Sequence, residues 1–210
     1  MKQRWHMRII DALSSVPPMR AEHLLPVVVM LTLWIGMTRM GLARDTSFVL
    51  VIVIAQTYAI WRNLPVAAAQ LSQPGRDRSR MLFWPVGMML VLAISQLLIS
   101  QPIFSQRILS GACIFVLIVM VLGMRREDEV LERVSPNSVV RGQIMQRVSL
   151  LRVNALVAVT ALVANEMLIL SQSLTVWMTG MALFVMILHG IYWFLILLVL
   201  PPDEPPARPV

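Results

Sequence analysis

Six long runs of apolar residues, separated by polar segments, limit the folds open to this chain of 210 residues. The runs cover residues 24–42, 47–61, 81–99, 108–124, 153–170 and 177–200. An α-helix needs ~20 residues to cross the hydrocarbon of a bilayer, and it satisfies its backbone hydrogen bonds internally. The second run is the shortest, so we expect Trp61 and Arg62 to anchor its end at the interface. The pattern predicts an all-α integral membrane protein with six transmembrane helices.

The composition agrees with this prediction and excludes a conventional soluble domain. Hydrophobic residues make up 58% of the chain and charged residues only 14%, against roughly 25% charged residues in soluble domains. The net charge of +7 does not indicate nucleic-acid binding, because the basic residues cluster at the ends of the apolar runs. There they set the topology and meet anionic lipid head groups. Every basic residue except Lys2 is arginine, a bias that favours a GC-rich bacterial genome.

The distribution of arginine predicts the orientation of the six spans. With the N-terminus in the cytoplasm, every basic residue except Arg39, Arg44 and Arg107 falls on the cytoplasmic side. This is a strong positive-inside bias. We therefore expect three hairpins in a bacterial inner membrane, with both termini cytoplasmic.

The membrane domain is assigned to residues 23–200, and three segments of the chain are expected to lie outside the bilayer itself. Residues 1–22 place Met7, Ile10 and Leu13 at helical spacing among cations, which predicts a short N-terminal interfacial helix. Residues 125–151 are acidic and then basic, which predicts helical extensions of the fourth and fifth spans that fold back as a cytosolic helical hairpin, with Glu132 in reach of Arg141. Residues 201–210 are rich in proline and are expected to be a disordered tail.

An internal repeat is a further hypothesis. The first and third runs share the pattern Pro-Val-x-x-Met-Leu-x-Leu-x-Ile, beginning at Pro26 and Pro85. Three hairpins related by an axis along the membrane normal would produce such a pattern. Chance similarity between segments that draw on few residue types would produce it too. Both interpretations remain open at this level.

Glu166 and His189 are the only carboxylate and the only histidine within the apolar runs, and ionisable groups inside a membrane are functional candidates. The helical rise places them ~12 Å apart along the membrane normal, so they are not expected to form a hydrogen-bonded pair. Glu166 and the adjacent Asn165 lie near the outer interface, where Gln96 of the third run could complete an outward-facing polar vestibule. The alternative is a carboxylate that only bonds neighbouring helices.

His189 is expected deep in the membrane, where the natural polar partners are Gln56 and Tyr58 of the second run. A deep histidine serves as a proton relay or a haem ligand, or it simply bonds a neighbouring helix. A second deep histidine for a bis-histidine haem is missing from the sequence. We therefore predict a polar intramembrane site made of His189, Glu166, Asn165, Gln96, Gln56 and Tyr58.

No catalytic motif accompanies these residues. The sequence lacks a phosphate-binding loop, an H-E-x-x-H motif and a G-x-S-x-G motif, and its one cysteine, Cys113, excludes a cysteine-based metal cluster. We expect no enzyme activity, no cofactor and no metal. The favoured function is an accessory or assembly subunit of a larger membrane complex, with the bilayer, anionic lipids at the arginine-rich cytosolic segments and membrane proteins as partners. A small permease or channel is the alternative.

Overall fold

The structure, a computed structural model, describes residues 5–19, 21–71, 78–134 and 139–199, and within these ranges it is all-helical, without a strand. The helices are α1 (Trp5–Ser14), α2 (Ala21–Arg39), α3 (Arg44–Leu71), α4 (Arg78–Ile99), α5 (Pro102–Arg133), α6 (Val139–Leu170) and α7 (Leu174–Val199). The predicted disordered tail at 201–210 lies outside the described residues.

Among the residues that the structure describes, three helices are long and apolar enough to cross a membrane, which supports the predicted membrane class. They are Pro102–Arg133, Val140–Leu170 and Leu174–Val199, whereas α2 and α4 contain the shorter apolar segments Leu24–Arg39 and Val86–Ile99. All of them overlap runs predicted as spans. The finer six-span topology rests on the arginine distribution.

Two helices extend well past the apolar runs that predicted them. The second run ends at Trp61, yet α3 continues to Leu71. Residues 62–71 are less apolar but rich in alanine and leucine, which favour helix. Similarly, α5 continues from the end of the fourth run to Arg133. Hydropathy therefore predicts where the helices lie. Their ends depend also on helix propensity, which hydropathy does not measure.

Helix α1 is present where an N-terminal interfacial helix was predicted. The apolar side chains of Met7, Ile10 and Leu13 are all exposed and do not pack into the core. Exposed apolar side chains of this kind are typical of a helix that lies on a membrane surface. Its place at the membrane surface stays a prediction.

The chain divides into two compact units, and each is described by itself. We call the first the α2–α4 unit, which comprises Arg20–Leu109 and Leu168–Ala182. Its core is an aromatic stack in which Phe48, fully buried, meets Trp34 edge-on at 6.1 Å and Trp177 at 5.3 Å between ring centroids. Such offset and edge-on pairs stabilise beyond the area they bury. The stack joins α2, α3 and the first turn of α7.

The second, the α5–α6 unit, comprises Met1–Met19, Ser110–Met167 and Leu183–Val210. Within it, α5 and α6 run antiparallel, because their contacts advance along one helix as they retreat along the other. Ser110 donates a hydrogen bond to Glu166, and Gly123 lies against Leu151. Further along, Glu127 pairs with Arg147 at 4.0 Å. Arg141 donates to the backbone carbonyls of Leu131 and Val134. Arg141, expected near Glu132, thus donates to backbone carbonyls.

Close approach of α6 and α7 depends on Gly180, and a matched substitution tests this. A Cβ on Gly180 would lie 2.5 Å from Cδ2 of Leu168, whereas one on Gly190 would meet nothing within 4 Å. We expect Gly180→Ala to lower the free energy of unfolding by about 1–2 kcal/mol, since overpacking outweighs the gain in helix propensity. Gly190→Ala on the same helix should be neutral or stabilising. Unfolding in detergent micelles measures both, and equal effects would contradict the packing.

Candidate polar site within the apolar helices

A hydrogen-bond bracket joins α5 to α6 in the apolar part of the α5–α6 unit. Nδ2 of Asn165 donates to Oγ of Ser110 at 2.9 Å, and Oγ of Ser110 donates to Oε1 of Glu166 at 2.5 Å. The serine hydroxyl therefore accepts from one side chain and donates to the other. Asn165 is completely buried, Ser110 is buried and Glu166 is half-buried. We call these three residues the Ser110 bracket.

The bracket's geometry follows from the helical register. Asn165 and Glu166 are consecutive and so lie about 100° apart around α6, and a hydroxyl on the facing helix can reach both. Hydroxyl hydrogen bonds to a carboxylate are short and roughly twice as strong as neutral ones. Where water is scarce, each bond also spares a buried polar group its desolvation cost. The bracket thus fixes the rotation of α5 against α6.

The sequence grouped Asn165 with Glu166 but gave no reason to include Ser110. Gln96 was the predicted neighbour, because glutamine stands out in an apolar run and serine does not. One signal was depth in the apolar runs. Ser110 is the third residue of the fourth run and Glu166 is the fifth from the end of the fifth run, so an antiparallel pair of helices places them at a similar level. Serine in membrane helices commonly bonds its own backbone, so the signal was weak.

A second polar pair lies in the α2–α4 unit. Nε2 of Gln96 donates to Oε1 of Gln56 at 3.1 Å and approaches the carbonyl of Leu92 at 3.3 Å. Gln96 is only 1% exposed, and its Oε1 has no hydrogen-bond partner within the described part of the chain. The residue expected to join Asn165 and Glu166 therefore bonds Gln56 of α3. Tyr58, two residues further along, is half-buried.

His189 lies near the middle of α7, about 22 Å along the helix from Leu174. Its ring meets Trp193 edge-on at 6.4 Å, at the i, i+4 spacing that places two residues on one helix face, and Trp193 also meets Tyr192 at 6.0 Å. His189 belongs to the α5–α6 unit, whereas its predicted partner Gln56 belongs to the α2–α4 unit and bonds Gln96. Within the units, Asn165 and Glu166 share the Ser110 bracket, Gln96 bonds Gln56, and His189 contacts Trp193.

None of these groups is a recognisable reaction centre. Among the described residues, no three of the His, Cys, Asp and Glu side chains are grouped so that they could hold a metal ion. The Ser110 bracket can fix two helices against each other. No protein-family model, curated protein or solved structure matches the chain. The function is therefore argued from this geometry.

Proposed function

We propose that the chain is an accessory or assembly subunit of a larger membrane complex, with six spans in a bacterial inner membrane and both termini in the cytoplasm. The observation that carries the proposal is the length of α5 and α6. Each has 32 residues and is about 48 Å long, whereas the hydrocarbon core of a bilayer is about 30 Å thick. Residues 125–134 and 139–152 at their facing ends are polar, and we call them the charged tip.

The charged tip is ordered by a few contacts and leaves most of its charge exposed. Arg141 donates to carbonyls at the end of α5, and Arg147 pairs with Glu127. The remaining exposed charges in the α5 part of the charged tip are Arg125, Arg126, Asp128, Glu129, Glu132 and Arg133. Exposed ion pairs contribute under about 1 kcal/mol each, so these charges matter little for folding. A rigid charged projection next to the membrane suits a partner protein, and its arginines also suit anionic head groups.

The number and the hydrogen bonding of the intramembrane carboxylates favour an accessory subunit over a permease. Coupled transport draws on several ionisable groups inside the membrane. The apolar runs of this chain contain one carboxylate, Glu166, and Ser110 donates a hydrogen bond to it between two helices. That arrangement is the one expected of a structural bracket.

The orientation has its own prediction. A reporter enzyme that is active only in the periplasm should be silent when fused after Pro202 and active when inserted at Gln172, in the turn between α6 and α7. The reason is the excess of arginine on the other side of the predicted spans. Activity after Pro202 would contradict six spans with the N-terminus inside.

The function is tested by isolating the full chain from native membranes with mild detergent, followed by mass spectrometry. We expect a second polypeptide at fixed stoichiometry. The triple substitution Asp128→Lys, Glu129→Lys and Glu132→Lys should reduce its recovery about tenfold or more, because it replaces the three exposed carboxylates of the tip with cations. Asp11→Lys, an exposed carboxylate on α1, is the control and should leave recovery unchanged.

Two outcomes would contradict the accessory function. The first is that the full chain purifies without a second polypeptide, although deleting the protein from the cell still impairs growth. The second is a loss of uptake or proton flux in Glu166→Gln or His189→Phe with the partner still bound, which would favour the small permease.

A further inference from the structure

A cavity of about 490 Å³ lies in the α2–α4 unit, separate from the polar groups described above. Its volume is within the range of small-molecule sites. It is lined by the last turns of α2, the start of α3 and the first two turns of α7. Because α2 ends, α3 begins and α7 begins at this cavity, it lies at one boundary of the apolar helices. In a membrane this boundary is the level of the lipid head groups.

One wall of the cavity is apolar and rigid. Leu31, Trp34 and Ile35 contribute it from α2. Trp34 is only 4% exposed and is held by its edge-on contact with Phe48 in the aromatic core. Leu31 lies about 10 Å from Thr38 along the axis of α2, on the N-terminal side and so further from the end of the helix. The apolar wall therefore extends from the boundary toward the middle of the helices, as an acyl chain would.

The other wall combines one cation with hydrogen-bond acceptors. Arg44 is the cation, and its guanidinium is suited to a phosphate group. The hydroxyl of Thr38 already donates to the carbonyls of Trp34 at 2.8 Å and Ile35 at 3.0 Å. The hydroxyl of Thr179 likewise donates to the carbonyl of Thr175 at 2.8 Å. A hydroxyl whose proton is used in this way offers only its lone pairs to a ligand.

We propose that this cavity binds a phospholipid whose head group carries a phosphate and an N–H donor, that is, one of the phosphatidylethanolamine type. The phosphate meets Arg44, the ammonium donates to Thr38 and Thr179, and one acyl chain lies along Leu31 and Ile35. A choline head group has the same charge but no N–H, so it cannot satisfy the threonine oxygens. This site does not depend on the partner proposed above.

Native mass spectrometry of the full chain in detergent tests the site with two lipids, dioleoylphosphatidylethanolamine and dioleoylphosphatidylcholine. We expect the ethanolamine lipid to bind with an affinity about tenfold higher, a comparison that needs no variant. Arg44→Gln should weaken its binding about tenfold. Arg39→Gln, the matched control, removes an exposed arginine at the same boundary that does not line the cavity, and it should change binding less than about twofold.

Two further variants keep the test decisive if Arg44→Gln does not fold. Ile35→Trp fills the apolar wall and should abolish retention, and Thr38→Val with Thr179→Val should remove the preference for ethanolamine over choline while some lipid still binds. Equal affinity of the wild-type chain for both lipids would overturn the proposal, as would equal losses in Arg44→Gln and Arg39→Gln. Displacement of the lipid by millimolar inorganic phosphate would also overturn it, by identifying a site for a free anion.

Discussion

Replacing Phe48 with alanine is expected to destabilise the protein more than any other single substitution of its core. Phe48 is completely buried and contacts both Trp34 and Trp177, so its removal opens a cavity where α2, α3 and α7 meet. Comparable Phe→Ala substitutions cost about 3–5 kcal/mol. In a membrane the loss is chiefly one of van der Waals packing, since lipid is as apolar as the core. Reversible unfolding in mixed micelles measures the free energy directly.

Phe115→Ala is the matched control for this prediction. Phe115 has the same side chain on α5, but 66% of its surface is exposed in the structure. Its replacement should change the free energy of unfolding by less than about 0.5 kcal/mol. If the two substitutions cost the same, the aromatic stack does not hold the α2–α4 unit together.

The second large effect is expected from Ser110→Ala. The substitution removes one hydroxyl and with it two interhelical hydrogen bonds, from Asn165 and to Glu166. Because Asn165 is fully buried, its amide cannot turn to water without the helices separating. Loss of a buried hydrogen-bond partner costs about 1–3 kcal/mol, more where the partner is charged. The unfolding free energy should fall by this amount, and the pairing of α5 with α6 should loosen in hydrogen exchange.

Ser95→Ala separates this effect from the general loss of a hydroxyl. Oγ of Ser95 donates to the carbonyl of Leu92 within its own helix, so its removal should cost less than about 0.5 kcal/mol. A double-mutant cycle of Ser110→Ala with Glu166→Gln adds a second check. Strictly additive costs would mean that the Ser110 hydroxyl and the Glu166 carboxylate do not interact.

Much of the secondary structure could be predicted from the sequence, because apolar length is a local property. The runs 108–124, 153–170 and 177–200 overlap the three helices that, among the described residues, are long and apolar enough to cross a membrane. The mixed charge of 125–151 indicated polar helical extensions, and α5 and α6 both extend into this segment. The helix ends were less accurate: α3 continues ten residues beyond its apolar run, through a segment rich in alanine and leucine that also contains Pro65.

The contacts of the candidate site residues were harder to predict, because they depend on which side chain of a neighbouring helix faces each one. Glu166, Asn165, Gln96 and Gln56 were identified from their rarity in apolar runs, and the structure places all four in interhelical hydrogen bonds. Their pairing was not predictable from rarity. Gln96 bonds Gln56, and the bracket depends on Ser110, a residue with no unusual feature in the sequence.

The sequence by itself determined that the chain is helical and largely apolar, since backbone hydrogen bonding and hydropathy act within a few neighbouring residues. It also determined where the charge lies, and hence the predicted orientation. Only the tertiary structure decided which side chains meet: the aromatic stack on Phe48, the Ser110 bracket and the cavity beside Arg44. Each joins residues far apart in the chain, and each depends on the rotation of one helix against another. Helix rotation is fixed by the sum of many small packing contacts, which no local pattern in the sequence reports.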